Sequence, residues 1–188
     1  MKKKTIKVLL ASLSMAIAIS ACKKDDEIVK KPEAPENEGE VITTMTLTLQ
    51  DSANTSNVKT FTFRDPDGKG GNNYTQFDTI KLDANKTWFA SVVLLNETAS
   101  PADTISNEVL EEGADHLICL TPDKIDIAIT KTDKDKNGLG IGLLSTWKTN
   151  ATGNGSIKIT LNHQPGIKDG SCDKGDTDIE VNFPAVVN

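Results

Sequence analysis

The chain has 188 residues, 26 % of them charged and 37 % hydrophobic, with 27 acids against 21 Lys and Arg and a formal charge of −6. An acidic, arginine-poor balance argues against nucleic acid and against electrostatic docking on anionic lipid. No nucleophile elbow, phosphate-cradling glycine loop or HExxH pattern is present, so nothing in the sequence points to an enzyme.

The N-terminus reads as a lipoprotein signal peptide over residues 1–21. Met1-Lys2-Lys3-Lys4 is its charged start, and Val8 to Ile19 is its apolar core. That core is about 12 residues long, short of the ~20 that cross a bilayer. Ser20 and Ala21 are the small residues ahead of Cys22, whose thiol would be acylated once cleavage made it the new N-terminus. Cleavage removes four lysines and no acid, so the remaining chain is still more acidic. Attachment would then rest on the acyl chains, which anchor firmly when there are two or three. From Cys22 to Glu40 the sequence is acidic and rich in Pro, Glu and Lys, the composition of an extended, disordered stalk.

From residue 41 to 188 the hydrophobic period is two. Met45, Leu47 and Leu49 alternate with Thr44, Thr46 and Thr48, the pattern of a half-buried antiparallel strand with threonines outward. The alternation returns at Phe61 and Phe63, Ile80 and Leu82, and Ile125, Ile127 and Ile129. It returns again at Ile157, Ile159 and Leu161, and at Ile179, Val181 and Phe183. Trp88 to Leu95 is apolar almost throughout and predicts a central strand. Leu139 to Trp147 predicts another, in which Gly140 and Gly142 mark a bulge or a close neighbour. Thr104 to Gly113 is the one helical stretch, with Thr104 as its cap and Gly113 as its stop. Turns fall at Asp65-Pro66-Asp67-Gly68, Asp133 to Gly138, Gly153-Asn154-Gly155 and Gln164-Pro165-Gly166. About eight or nine strands so punctuated predict an all-β, antiparallel β-sandwich with one short helix.

Several stretches together resemble a family of small Bacteroidota lipoproteins. They are EVITTMTLTL (40–49), RDPDGKGG (64–71), DTIKL (78–82), VVLLNET (92–98) and the acidic helix with His116. TDKDKNGLGIGL (132–143), HQPGIKDG (163–170) and GDTDIEVNFP (175–184) complete the set. The family is commonly labelled "type 1 periplasmic binding fold superfamily", a label that implies two doubly wound α/β lobes. Its members often carry a His- and Glu-rich stretch that implies metal capture, where this chain, with His116 and His163 as its two histidines, has a Pro- and Glu-rich stalk. Lys23-Lys24-Asp25-Asp26-Glu27 resembles the surface-export signal of such lipoproteins, and its plain alternative is a solvated tether. The resemblance thus implies the outer membrane, exposed at the cell surface or turned to the periplasm.

Other residue sets each admit a chemical and a structural reading. Asp133, Asp135 and Asn137, followed by Gly138, match the first half of a calcium loop, so calcium is the candidate cofactor. Leu144 stands where the bidentate glutamate belongs, and the same residues suit a hairpin turn. Asp65 and Asp67 form a similar acidic turn, and Asp169, Asp173, Asp176 and Asp178 a more open cluster. His116 and His163 lie far apart without ligand spacing, which favours structural roles over zinc. Cys119 and Cys172 are either a disulfide, permitted outside the cytoplasm, or two thiols. Asp51-Ser52-Ala53, Asp78-Thr79-Ile80 and Asp103-Thr104-Ile105 resemble the O-glycosylation acceptor of Bacteroidota envelope proteins, with Ser52 and Thr104 the better placed. Trp88, Trp147 and Tyr74 are the aromatics available to a binding surface, although both tryptophans also suit the core.

These readings converge on a non-enzymatic, lipid-anchored binding or accessory module. The membrane would be reached through the lipid anchor, and an outer-membrane transporter or a glycan are the candidate partners. A structural or assembly lipoprotein without a small ligand is the first alternative, and a calcium- or transition-metal-binding lipoprotein the second.

Overall fold

The structure is a computed structural model that describes residues 40–68 and 73–188. The signal peptide, Cys22, the stalk before Glu40 and the Lys69–Asn72 part of the first acidic turn lie outside the described residues.

Ten strands and one helix follow in the order β1 Thr44–Asp51, β2 Val58–Arg64, β3 Gln76–Phe77, β4 Ile80–Leu82, β5 Thr87–Leu95, α1 Ile105–Glu111, β6 His116–Asp123, β7 Ile127–Lys131, β8 Leu144–Thr149, β9 Gly153–His163 and β10 Asp176–Val187. They form a six-stranded sheet, β3-β2-β1-β5-β8-β7, and a four-stranded sheet, β4-β10-β9-β6. All pairs are antiparallel except β10 with β4. The expected β-sandwich is therefore the fold. The two α/β lobes implied by the family label are absent among the described residues. β3 is too short to produce a period, and it raises the strand number above the expectation.

The inner faces carry the alternating apolar residues. Met45, Leu47 and Leu49 of β1 and Ile157, Ile159 and Leu161 of β9 are each at most 1 % exposed. Burying such a side chain stabilises by roughly 1.5–3 kcal/mol, so each alternating strand commits one face to the core. β5 is central, between β1 and β8, as its continuous apolar run predicts. Trp88 of β5 stands opposite Trp147 of β8, and both are fully buried core residues. The Trp147 indole N–H donates to Ser145 Oγ at 2.8 Å.

Two local expectations are corrected. β8 begins at Leu144 rather than Leu139, because residues 140–143 cross between the sheets instead of joining one. Ile118 N–H of β6 donates to Ile141 O at 2.7 Å, and Val92 N–H of β5 donates to Leu143 O at 2.9 Å. Gly142 makes this crossing possible. Its φ is +98°, and a Cβ there would lie 2.5 Å from Ile118 O. The helix spans Ile105–Glu111, and the Thr104 side chain makes no capping hydrogen bond. Ser106 instead turns to β5, where its Oγ accepts from Leu94 N–H at 2.6 Å.

Candidate functional site

The outer face of the six-stranded sheet is built by the same alternation that fills the core. Register places Val58, Gln50, Phe89, Thr146 and Thr130 in one outward row across β2, β1, β5, β8 and β7. The next outward row holds Thr60, Thr48, Ser91 and Leu144, and the third holds Thr62, Thr46 and Val93. No residue of these rows is charged, in a chain with 26 % charged residues. Protein surfaces ordinarily carry about 25–35 % charged residues, so an uncharged field this wide calls for a reason. Lys148 and Arg64 stand only at its two ends, in the rows beyond.

Phe89 lies on the middle strand in the first of these rows, next to the row of Lys148, and is 52 % exposed, in a shallow depression of about 280 Å³. Its strand neighbours on either side are Gln50 and Thr146. Gln50 Nε2 donates to Thr55 O at 2.9 Å, which orients the amide. Thr46 and Thr62, and Thr48 and Thr60, approach each other only at 3.5 Å, so these hydroxyl contacts are weak. The face therefore offers an open ring among hydroxyl and amide groups that keep most of their hydrogen-bonding capacity.

A second set of groups meets where the C-terminal end of the helix leads into β6. His116 and His163 are opposite each other in the β6–β9 register, with rings stacked at 4.8 Å and 18°. His116 is buried, and its Nδ1–H donates to Glu112 O at 3.3 Å, since a carbonyl can only accept. Burial first, and the neighbouring His163 second, hold its pKa below the usual imidazole value. Glu40 joins the same region. Burial, the charges of Glu108 and Asp178, a hydrogen bond with Glu108 and the charge of Glu112 push its carboxyl up to about 7. No group of three or more His, Cys, Asp or Glu side chains that could hold a metal ion occurs among the described residues.

The calcium-loop residues lie in the β7–β8 connection, and their carboxylates face their own chain. Asp133 accepts from Gly142 N–H and Leu144 N–H at 2.8 and 3.1 Å. Asp135 accepts from Asn137 N–H and Leu139 N–H at 2.8 and 3.0 Å. It also pairs with Lys168 at 2.8 Å, with side chains only 1 % and 2 % exposed. Burial alone would raise the Asp135 pKa, but the Lys168 hydrogen bond and the two backbone donors outweigh it and hold it low. Lys168 Nζ also donates to Gly113 O at 2.6 Å. This geometry serves a structural turn, with the two carboxylates already bound by donors.

Cys119 and Cys172 form a disulfide with Cα atoms 6.0 Å apart. It fastens the β9–β10 connection over the outer face of the four-stranded sheet. Beside it lies a polar depression of about 280 Å³ lined by Lys158, Thr160, Asn162 and Glu180 among others. In the acidic cluster of that connection, Asp169 pairs with Lys174 at 2.7 Å. Asp65, of the first acidic turn, lines a groove of about 390 Å³ with Ile42, Phe63 and Asp178. Its carboxyl is raised by burial and by the neighbouring Asp67.

Ser52 is exposed in the β1–β2 turn, whereas Thr104 is half-buried at the start of α1. Tyr74 is 53 % exposed and stacks edge-on with Phe77 rather than lying on the uncharged face. Phe89, the exposed ring of that face, was hidden in the sequence by the apolar run around it; only strict alternation along β5 marks it as outward. No family model, curated protein or solved structure matches the chain.

Proposed function

We propose that the protein is a lipid-anchored envelope protein that acts as a non-enzymatic binding or accessory module through the outer face of its six-stranded sheet. The signal-like N-terminus and Cys22 support the anchor. The family resemblance supports an outer-membrane, surface-exposed location, where an outer-membrane transporter is a candidate neighbour. The observation that carries the contact surface is the run of three outward rows without a charge, the first of which holds an exposed phenylalanine on the middle strand.

The anchor is tested by labelling cells with a fatty-acid analogue. The intact chain should take up label and fractionate with membranes, and Cys22→Ala should do neither. Contact through the face is tested with a photo-crosslinking residue in living cells, placed at Thr48 or at Lys158 on the other sheet. Adducts from position 48 but not 158 are expected. Equal labelling from both positions, or none from 48, sinks the assignment of the face.

A further inference from the structure

We infer that the ligand of this face is a neutral glycan, one sugar ring of which stacks on Phe89. The inference rests on the proposed binding role of the face and adds the chemical class of what it holds.

Three observations select that class. The three rows carry no charge and a single cation, Lys148, stands in the row beside Phe89, so the face has no cluster of charges for a phosphate, an acidic peptide or a polycation. Its hydrogen-bonding groups are hydroxyls, which both donate and accept, and one amide with a donor and an acceptor end, as a polyhydroxylated ligand requires. The 52 % exposed ring of Phe89 adds an apolar platform for the C–H face of a sugar, with Gln50 and Thr146 flanking it in register.

A protein partner fits this composition less well. Protein interfaces concentrate their energy in Trp, Tyr and Arg, with Ser, Thr, Val and Leu under-represented. Here threonine is the commonest residue, Phe89 is the single aromatic, and Arg64 stands outside the field. The depression is shallow and open-sided, which suits a segment of an extended chain rather than an enclosed monosaccharide. Such sites bind weakly per sugar, and a membrane-anchored array of modules would bind a polymer more firmly through several contacts.

The test uses the full chain, purified in detergent, in native gels containing laminarin, mannan, xylan or galactan, with alginate as the charged control. Retardation by at least one neutral polysaccharide and none by alginate is the expected result. Phe89→Ala should weaken that binding by about tenfold, the effect of losing roughly 1.4 kcal/mol of stacking and contact. Thr146→Lys should weaken it too, while Tyr74→Ala, which removes an exposed ring elsewhere, should leave it unchanged. Unaltered melting temperatures of the three variants will show that the fold is intact.

Retardation indifferent to Phe89→Ala and Thr146→Lys overturns the site. No retardation by any neutral polysaccharide overturns the ligand class. If the Thr48 crosslinker then still yields adducts, they report a protein partner and the binding role stands. If it yields none, the role of the face falls together with the glycan.

Discussion

The Cys119–Cys172 disulfide gives the clearest quantitative prediction. It joins residues 53 apart in sequence, so it restrains a long loop of the unfolded chain. Chain-entropy arguments put the stabilisation from closing a loop of that length at about 4 kcal/mol. The folded state should change little when the bond is absent, because the β9–β10 connection is held independently. Gln164 Nε2 donates to the carbonyls of Ser171 and Lys174, both at 2.8 Å, and Lys168 is fixed between Asp135 and Gly113. The double variant Cys119→Ser/Cys172→Ser should therefore keep its fold and lose nearly the whole entropic term. In urea this is a lower midpoint at unchanged or slightly larger slope, and in a thermal scan a drop of about 10 °C. Reductant should lower the wild-type melting temperature to that of the variant and leave the variant where it is. A double variant within about 1 kcal/mol of wild type under oxidising conditions would refute the reasoning.

Other expectations follow from single contacts. Lys168→Met leaves the Asp135 carboxylate buried without its ion-pair partner and should cost about 3–5 kcal/mol in urea unfolding; Lys168→Met with Asp135→Asn should cost less than the sum of the singles. Gly142→Ala forces a side chain into a φ of +98° and against Ile118 O, and should destabilise by at least ~1 kcal/mol. Calcium should leave the melting temperature unchanged, since donors already occupy the Asp133 and Asp135 carboxylates; a dose-dependent rise would contradict that account. Glu40 carries a raised carboxyl, so the folded state holds its proton between the ordinary value of 4.5 and about 7 while the unfolded state has released it. Stability should accordingly fall as pH rises across that window and level off above it, and Glu40→Gln should flatten the slope. His116, held low by burial and by His163, pulls the other way, so its contribution falls as pH drops through the ordinary imidazole range.

Much of the architecture was legible because alternation is a local property. Thr44 to Leu49 announces both a strand and which side of it meets water, and Ile157 to Leu161 does the same. Features that depend on register between distant strands were not legible. His116 and His163 look unrelated along the chain, yet the β6–β9 pairing stacks their rings. Asp135 and Lys168 likewise meet only because two loops converge, and a short Asp/Asn/Gly run cannot announce a partner elsewhere in the chain. The strand predicted from Leu139 was misplaced because glycine tolerates both a bulge and a departure from the sheet. Gly142 takes the departure, as its φ of +98° shows. The uncharged field is an intermediate case. The outward threonines of β1 stand in plain view, but the lack of charge across five strands emerges only once their residues are set side by side.

The parallel pairing of β4 with β10 bears on the order in which the fold can close. β10, the last strand in chain order, lies between β4 and β9, so the four-stranded sheet has a gap in its middle until that segment arrives. Pairing across so much intervening chain is slow and does not begin from a local nucleus. The topology thus leaves the four-stranded sheet open until the β10 segment is available.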